Sequence, residues 1–311
     1  WLRSVQVDLS FKHLSGPTKV VLSPNDAAVT CVVKNGQFFL GEFLEHYFDL
    51  GFKHVFLLDN GSTDGTLEQA ARHQNVTVYQ STLSVGKYQG LLKRRLAEIA
   101  VPNGWCLDVD IDEFFDYPYS RSLPLARLLD YLNGKGYSAV VTQMLDMFSD
   151  GSSLDQQQEH SLKRVHRYYD VSDVRKASYF DENLTANFGA HNVASSAETA
   201  LYWGGIRKKV YGVDVLLTKH SLFRTGAGLE LFSRHNHYVD KAVLADVSCL
   251  LLHYKFADNA NASAAQNRVA FTANRDYYDR MLEVNAKQPN ARIGGDQAKE
   301  YLSSEDLLKN G

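Results

Sequence analysis

The sequence has only three cysteines in 311 residues, and this scarcity argues against a disulfide framework. Cys31, Cys106 and Cys249 are far apart and each lies in an apolar stretch, so we expect buried thiols in a reducing compartment and no zinc knuckle. The chain also has no excess of basic residues. Its formal net charge of −3 argues against a nucleic-acid partner, which usually requires a basic surface.

Long apolar runs are absent as well. None approaches the roughly 20 residues that a membrane-spanning helix needs, and the first residues lack the charged start and apolar centre of a signal peptide. We therefore expect a soluble chain without a membrane span, in the cytoplasm or at the cytoplasmic face of a membrane, with peripheral membrane association allowed. The length suffices for one large domain or two modest ones.

Short apolar strands alternate with helical segments in the first half of the chain. Strands are predicted at 28–33, 54–58, 76–79 and 105–109, and helices at 38–50, 67–74 and 88–100. This alternation predicts an α/β fold with a mainly parallel sheet. Such sheets bind ligands at the carboxyl ends of their strands, which is where Asp59 and the acidic run 108–113 fall.

The second half of the chain is less regular. A helix is predicted at 123–132, strands at 138–143, 202–210, 215–217 and 248–254, and a helical segment at 262–284. Residues 1–26 are predicted to form an irregular leader or an edge hairpin, because their alternation is weak and turn residues interrupt it. The second half therefore indicates a mixed extension of the sheet.

The acidic run that follows the fourth strand indicates a metal site. Asp108, Asp110 and Asp112 alternate with Val109 and Ile111, so on a strand the three carboxylates would project to one side. Neighbouring carboxylates repel each other unless a cation lies between them, and oxygen ligands suit Mg²⁺ or Mn²⁺. The alternative is a solvated strand edge followed by a turn. Apolar residues on both sides of the run favour the metal site.

Three segments resemble one known family. They are Cys31-Val32-Val33-Lys34-Asn35 with Glu42-Phe43, the run from Leu58 to Thr66, and the run from Asp108 to Phe114. Over about residues 28–118 the chain resembles nucleotide-sugar glycosyltransferases of the family 2 and family 92 type. Weaker likenesses lie at 204–209, 217–219 and 251–256. The resemblance implies a GT-A fold, in which a Rossmann-like, mostly parallel sheet joins a mixed α/β acceptor-binding half and a helical C-terminal tail.

The resemblance also implies an activity and a division of the chain. The activity is transfer of a hexose-type sugar, with inversion, from a nucleoside-diphosphate sugar, UDP-sugar being favoured, to a hydroxyl of a saccharide or glycolipid. Capsular, exopolysaccharide or other glycan assembly is the implied setting. The division is a leader (1–26), a nucleotide-sugar-binding half (27–122), an acceptor-binding and metal-completing half (123–260) and a helical tail (261–311), which together form one catalytic domain.

The implied metal ligands are Asp110, Asp112 and His253, with Mn²⁺ favoured over Mg²⁺. Asp110 and Asp112 match the D-x-D motif of the family, in which the second acid ligates the metal and the first contacts ribose or a metal-bound water. His253 matches a position that completes the coordination, although a lone histidine in an apolar run is equally compatible with a core residue. Asp108 would support these ligands, and Glu113 would bind metal or, by preference, form a salt bridge.

Other residues are predicted to contact the donor or the acceptor. Asp59 would accept hydrogen bonds from uracil or ribose, the alternative being a helix N-cap region. The remaining predicted donor contacts are Asn35, Lys87, Gln89, Asp110, Gly205, Arg207 and Lys255. For Arg94 and Arg95 a solvated helix face is the default. The candidates for the general base are Glu230, His237 and Asp240, together with His235 and Asp146.

Three other functions stay open at this stage. A nucleotidyltransferase would share the Rossmann-like half and the paired aspartates, but it would normally have an early glycine-rich basic loop, which residues 29–40 lack. A sugar-nucleotide-binding protein without transfer activity would not need the intact pair of Asp110 and Asp112. A metal-dependent hydrolase would use water as its acceptor.

Overall fold

The computed structural model describes residues 2–149, 161–181, 190–233, 237–257, 260–271, 275–287, 293–305 and 307. The first half contains α1 (Leu2–Ser10), β1 (Lys12–Ser15), β2 (Ala27–Val33), α2 (Gln37–Asp49), β3 (His54–Asp59), α3 (Thr66–Ala70), β4 (Val76–Gln80), α4 (Val85–Ala100) and β5 (Gly104–Asp108). The alternation of strands and helices that the sequence predicts is therefore present from β2 onward.

The second half mixes short and long elements. It contains β6 (Glu113–Asp116), α5 (Leu125–Lys135), β7 (Ala139–Asp146), α6 (Leu162–Val165), β8 (Tyr168–Tyr169), β9 (Val174–Ser178), β10 (Val193–Ala194), β11 (Ala200–Gly204), α7 (Ile206–Tyr211), β12 (Thr218–Thr225), β13 (Glu230–Leu231), β14 (Val239–Asp240), β15 (Val243–His253), α8 (Ala260–Ala270), α9 (Arg275–Lys287) and β16 (Lys299–Glu300).

One large sheet organises the described residues. Its strand order is β1-β4-β3-β2-β5-β12-β7-β15-β10, with β6 paired to β15. Strands β2, β3, β4, β5, β7, β10 and β15 run in one direction, and β1, β6 and β12 run in the other. The predicted α/β class with a mostly parallel, Rossmann-like central sheet is confirmed, and it is consistent with a GT-A-type fold.

Strands β2 to β5 are mostly apolar because helices cover both faces of this part of the sheet. Neighbouring residues alternate between the two faces: Val29 and Leu107 belong to the core layer that contains α2 and α5, whereas Ala28 and Cys106 belong to the layer that contains α4. The three cysteines are free thiols and buried, as expected. Among the described residues, no helix is both long and apolar enough to cross a bilayer.

Three segments differ from the sequence prediction. The leader contains α1, and β1 pairs antiparallel with β4 at the sheet edge. The strand predicted at 202–210 ends at Gly204, since Gly204 (φ +90°) and Gly205 (φ +68°) turn the chain into α7. The helical segment predicted at 262–284 is divided between α8 and α9.

Candidate functional site

The acidic run forms a turn at the carboxyl end of β5. The strand ends at Asp108 and β6 begins at Glu113, so Asp110 and Asp112 do not lie on a strand with Asp108, as the predicted alternation of the three carboxylates requires. The amide of Glu113 donates to the carbonyl of Asp110 at 3.0 Å, and the amide of Asp110 donates to the Glu113 carboxylate at 3.0 Å. Because this turn replaces the strand alternation, contacts made within the turn and with neighbouring elements decide where each carboxylate points.

Two buried lysines neutralise one part of the turn. Lys93 of α4 donates to Asp108 at 2.8 Å and to Asp110 at 3.0 Å. Lys219 of β12 donates to the other oxygen of Asp110 at 3.1 Å and to Glu113 at 2.5 Å. The preferred interpretation of Glu113 as a salt-bridge residue is therefore confirmed.

The charges in this cluster shift each other's pKa. Burial alone would lower the pKa of Lys93, but Asp108 and Asp110 outweigh it and the pKa is raised. Burial alone would also lower the pKa of Lys219, but Asp110 and Glu113 outweigh it and the pKa is raised. Burial raises the pKa of Asp108 to about 6, against the opposing effect of Lys93. Both lysines therefore carry their charge at neutral pH.

A second chain of buried polar groups starts at Asp112. The Nε2 atom of His253 lies 3.5 Å from the Oδ2 atom of Asp112, and its Nδ1 atom lies 2.6 Å from Oδ1 of Asp146. Asp146 also accepts a hydrogen bond of 2.7 Å from Nε of Arg207. These residues come from the turn, β15, β7 and α7. The sheet places them together because β15 and β7 are parallel and end at the same level.

Asp112 and His253, two of the predicted metal ligands, contact each other directly. A metal-binding histidine usually donates its second ring N–H to a carboxylate, which is how Asp146 holds His253. Among the described residues, no group of three His, Cys, Asp or Glu side chains is arranged to hold a metal. Asp112 and His253 would therefore supply two ligands and leave positions for phosphate oxygens and water, a common arrangement for ions that bind nucleotides.

Asp110 is engaged differently from Asp112. Each of its oxygens accepts a hydrogen bond from a lysine, although 33% of the side chain is exposed. Burial alone would raise the pKa of Asp110, but Lys219, Lys93 and His237 outweigh it and the pKa is lowered. Its predicted part in metal binding stays a prediction.

Arg207 has an unsatisfied donor beside this chain of groups. Its side chain is buried, and its Nη2 atom has no hydrogen-bond partner among the described residues. The hydroxyl of Tyr277 on α9, which is also buried without a hydrogen bond of good geometry, lies close enough to this guanidinium to help raise its pKa, although burial alone would lower it. Lys255 lies 5.8 Å above the ring of Tyr278, and Asp112 helps to raise its pKa although burial alone would lower it. Nη2 of Arg207 is therefore a buried donor that an added acceptor could satisfy.

Asp59 and Asn35 hold two loops at the same edge of the sheet. The buried Asp59 carboxylate accepts hydrogen bonds from the amides of Gly61 and Ser62, each at 3.0 Å, and from Gln80 at 2.9 Å. Asn35, in a left-handed conformation (φ +55°), accepts a hydrogen bond from the amide of Thr63 at 2.8 Å. Asp59 thus organises a turn, and its contact with a nucleotide stays a prediction.

The cationic side chains of α4 divide into two groups. Arg94 pairs with Glu98 at 2.7 Å and Arg95 with Asp8 at 2.8 Å, both partly exposed, which agrees with a solvated helix face. Lys87 is exposed near the start of the helix, and Gln89 is half-buried. Their predicted donor contacts stay predictions. Sequence reasoning missed Lys93, although it lies on the apolar stripe of α4 with Leu92 and Leu96.

The candidate bases lie in different surroundings. Glu230 is exposed and pairs with Lys241 at 2.5 Å, while the buried Asp240 accepts a hydrogen bond of 2.8 Å from His191. His237 is close enough to Asp110 for its charge to affect that pKa. Asp146, a further candidate, is engaged by His253 and Arg207. His235 lies outside the described residues.

Helix α8 covers the loops at this edge of the sheet. Its Gln266 side chain accepts a hydrogen bond of 3.0 Å from Asn35 and donates one of 3.2 Å to the carbonyl of Lys34. The end of α8 lies directly against α4, since a Cβ atom built on Gly86 would be 1.8 Å from the carbonyl oxygen of Ala270. The carboxyl ends of the central strands thus lie beneath the C-terminal helices.

Comparisons with known proteins give little guidance on function. Neither a protein-family model nor a curated protein matches the sequence. The structure is similar to a solved structure of UDP-glucose pyrophosphorylase complexed with UDP-glucose, at 8% identity and a TM-score of 0.33, over 86% of this chain and 99% of that chain. A likeness this weak does not support a shared activity, so the functional assignment depends on the side chains described above.

Proposed function

We propose that the protein is a metal-dependent glycosyltransferase that moves a hexose-type sugar from a nucleoside-diphosphate sugar, UDP-sugar being favoured, to a hydroxyl of a glycan or glycolipid. The observation that carries this proposal is the chain of contacts from Asp112 through His253 and Asp146 to Arg207. It brings two of the predicted metal ligands near the guanidinium of Arg207, which has one donor without a hydrogen bond, and these groups lie where the strands of a Rossmann-like sheet end.

The metal and the donor diphosphate would share this site. Asp112 and His253 would hold Mn²⁺ or Mg²⁺, and a nitrogen ligand favours Mn²⁺ because Mg²⁺ prefers oxygen alone. When bound, the ion supplies Lewis-acid neutralisation of the leaving diphosphate. Nη2 of Arg207, which has no hydrogen bond, and the ammonium of Lys255 would bind phosphate oxygens.

The transfer step requires a base on the acceptor side. The acceptor oxygen forms a bond to the anomeric carbon while the bond from that carbon to the diphosphate oxygen breaks, and its electron pair leaves with the diphosphate. The proton of the acceptor hydroxyl passes to the base. Among the described candidates we favour His237, since it lies close enough to Asp110 to affect the pKa of that carboxyl. A single displacement of this kind inverts the configuration.

Nucleotidyl transfer is the second candidate, and one observation disfavours it. The connection between β2 and α2 is only three residues long, 34–36, and Asn35 ties it to the turn after β3. A connection this short leaves no glycine-rich basic loop to surround a triphosphate. The two activities also differ in their products, because a glycosyltransferase releases UDP and a nucleotidyltransferase releases or consumes pyrophosphate.

A panel of UDP-sugars and GDP-sugars tests the proposal. With Mn²⁺, at least one sugar nucleotide should raise the melting temperature, because a ligand that binds only the native state stabilises it. The Asp112→Asn variant should lose this stabilisation. Release of UDP that requires an added saccharide indicates transfer, whereas release of UDP and sugar with water alone indicates a hydrolase. Absence of any metal-dependent stabilisation across the panel would contradict the proposal.

A further inference from the structure

The acidic turn is surrounded by protein cations. Five carboxylates meet here, those of Asp108, Asp110, Asp112, Glu113 and Asp146, and they face four permanent cations, those of Lys93, Lys219, Arg207 and Lys255. Counted with His253 in the neutral form that a metal ligand requires, the cluster has one net negative charge. Two of these lysines are buried, since Lys93 is 1% and Lys219 is 3% exposed.

The cations are unevenly distributed over the carboxylates. Lys93 and Lys219 occupy both oxygens of Asp110 and also bind Asp108 and Glu113, so this part of the cluster is neutralised by the protein itself. Buried charges of this kind require partners, since isolated buried carboxylates are strongly destabilised. The turn can therefore fold without a metal ion.

This charge balance has a consequence for ligand binding. A divalent ion that entered alone would change the cluster from one net negative charge to one net positive charge, in a site where charges are poorly screened. The diphosphate of a nucleotide sugar carries two negative charges. Ion and diphosphate together leave the charge of the cluster unchanged.

We propose that Lys93 and Lys219 act as built-in counter-cations of the acidic turn, which make the divalent ion and the diphosphate bind as a pair. This inference rests on the proposed function. Lys219 is a positioning residue in this scheme: it holds Asp110 and Glu113 away from the ion and lowers the affinity of the empty site for metal. By linkage, each ligand raises the affinity of the other by the same factor.

Manganese binding with and without UDP tests this inference, measured as the electron paramagnetic resonance signal of unbound Mn²⁺. In the wild-type protein UDP should raise the affinity for Mn²⁺ by about tenfold or more, because the negative charges of its diphosphate offset the positive charge of the ion. In Lys219→Gln, Mn²⁺ should bind roughly tenfold more tightly without UDP, and the effect of UDP should shrink. The glutamine amide still donates a hydrogen bond, which favours folding of the variant.

Two variants serve as controls. Lys219→Arg retains the charge and should behave like the wild-type protein. Lys53→Gln removes a lysine that is 57% exposed and lies 3.8 Å from Asp26, at the opposite end of the sheet, so it should leave Mn²⁺ binding unchanged. A further measurement needs no variant: Mn²⁺ alone should leave the melting temperature of the wild-type protein nearly unchanged, and Mn²⁺ with UDP should raise it.

The outcomes separate this inference from the proposed function. If the wild-type protein with UDP binds no more Mn²⁺ than Asp112→Asn does, the proposed function fails and this inference fails with it. Two other outcomes overturn only the counter-cation inference, provided that Asp112→Asn loses Mn²⁺ binding. In one, the wild-type protein binds Mn²⁺ equally tightly with and without UDP. In the other, Lys219→Gln without UDP binds Mn²⁺ no more tightly than the wild-type protein does.

Discussion

Replacing Asp146 by asparagine tests how the site is held together. The carboxylate of Asp146 is buried and binds two groups, Nδ1 of His253 at 2.6 Å and Nε of Arg207 at 2.7 Å. Asparagine retains the volume of the side chain but removes the charge. The asparagine amide has only one oxygen, so it could accept a hydrogen bond from His253 or from Arg207 but would not hold both as the carboxylate does. Either the ring of His253 or the guanidinium of Arg207 then loses its hydrogen-bond acceptor.

The expected magnitudes follow from burial and from the role of each contact. Removing one partner of a buried ion pair typically costs about 3–5 kcal/mol of folding free energy, because the remaining charge is uncompensated. Loss of the group that orients a metal-binding histidine typically weakens metal binding by about 10–100-fold, which corresponds to about 1.4–2.7 kcal/mol. We therefore expect Asp146→Asn to be less stable and to bind Mn²⁺ with UDP at least tenfold more weakly.

Urea unfolding and Mn²⁺ titration in the presence of UDP measure the two effects separately. The matched control is Asp170→Asn, because Asp170 is also buried and accepts a hydrogen bond of 2.7 Å from Lys209, outside the site. The control should lose stability and retain its affinity for Mn²⁺. If Asp146→Asn binds Mn²⁺ as tightly as Asp170→Asn does, Asp146 does not orient a metal ligand and the proposed site is wrong.

Three further predictions follow from particular contacts. Burial lowers the pKa of His220 to about 4, so as the pH falls the unfolded chain is protonated at this residue before the folded chain is. The free energy of unfolding should therefore decrease by about 3 kcal/mol between pH 6.5 and pH 4. Urea unfolding at both pH values measures this decrease, and the His220→Asn variant should lack this contribution. Asp112→Asn should abolish Mn²⁺-dependent turnover while the circular dichroism spectrum is unchanged, and turnover that persists would contradict the assignment of the ligand. Gly86→Ala should loosen α8, because its Cβ would be 1.8 Å from the carbonyl of Ala270, and limited proteolysis should cleave 260–271 faster; Gly134→Ala, where nothing lies within 4 Å, should leave that rate unchanged.

The sequence predicts the first half of the fold well for a simple physical reason. The strands β2 to β5 are covered on both faces, so their residues form continuous apolar runs that end at polar turns. The same pattern locates the acidic residues at the edge where ligands bind. His253 is likewise placed beside Asp112, at the end of a long apolar strand that lies far along the chain.

The parts that the sequence does not predict depend on contacts between distant residues. Lys93 resembles its surface neighbours Arg94 and Arg95 in the sequence, and only its position on the apolar stripe of α4 distinguishes it. The sequence indicates Asp146 only as a candidate base, whereas in the structure it binds His253 of β15 and Arg207 of α7. No local pattern reveals a partner more than 60 residues away, because strand order and register determine which side chains meet.

The direction of β12 determines that a positively charged side chain lies at the edge of the sheet where the parallel strands end. Parallel strands finish at this edge and bring the residues that follow them, but β12 starts there and brings Lys219 on its second residue. Along a strand, adjacent side chains alternate in direction. Shifting β12 by one residue against its neighbours would turn the ammonium of Lys219 to the opposite face of the sheet. The register of this strand therefore decides whether a cation or a neutral side chain faces the acidic turn.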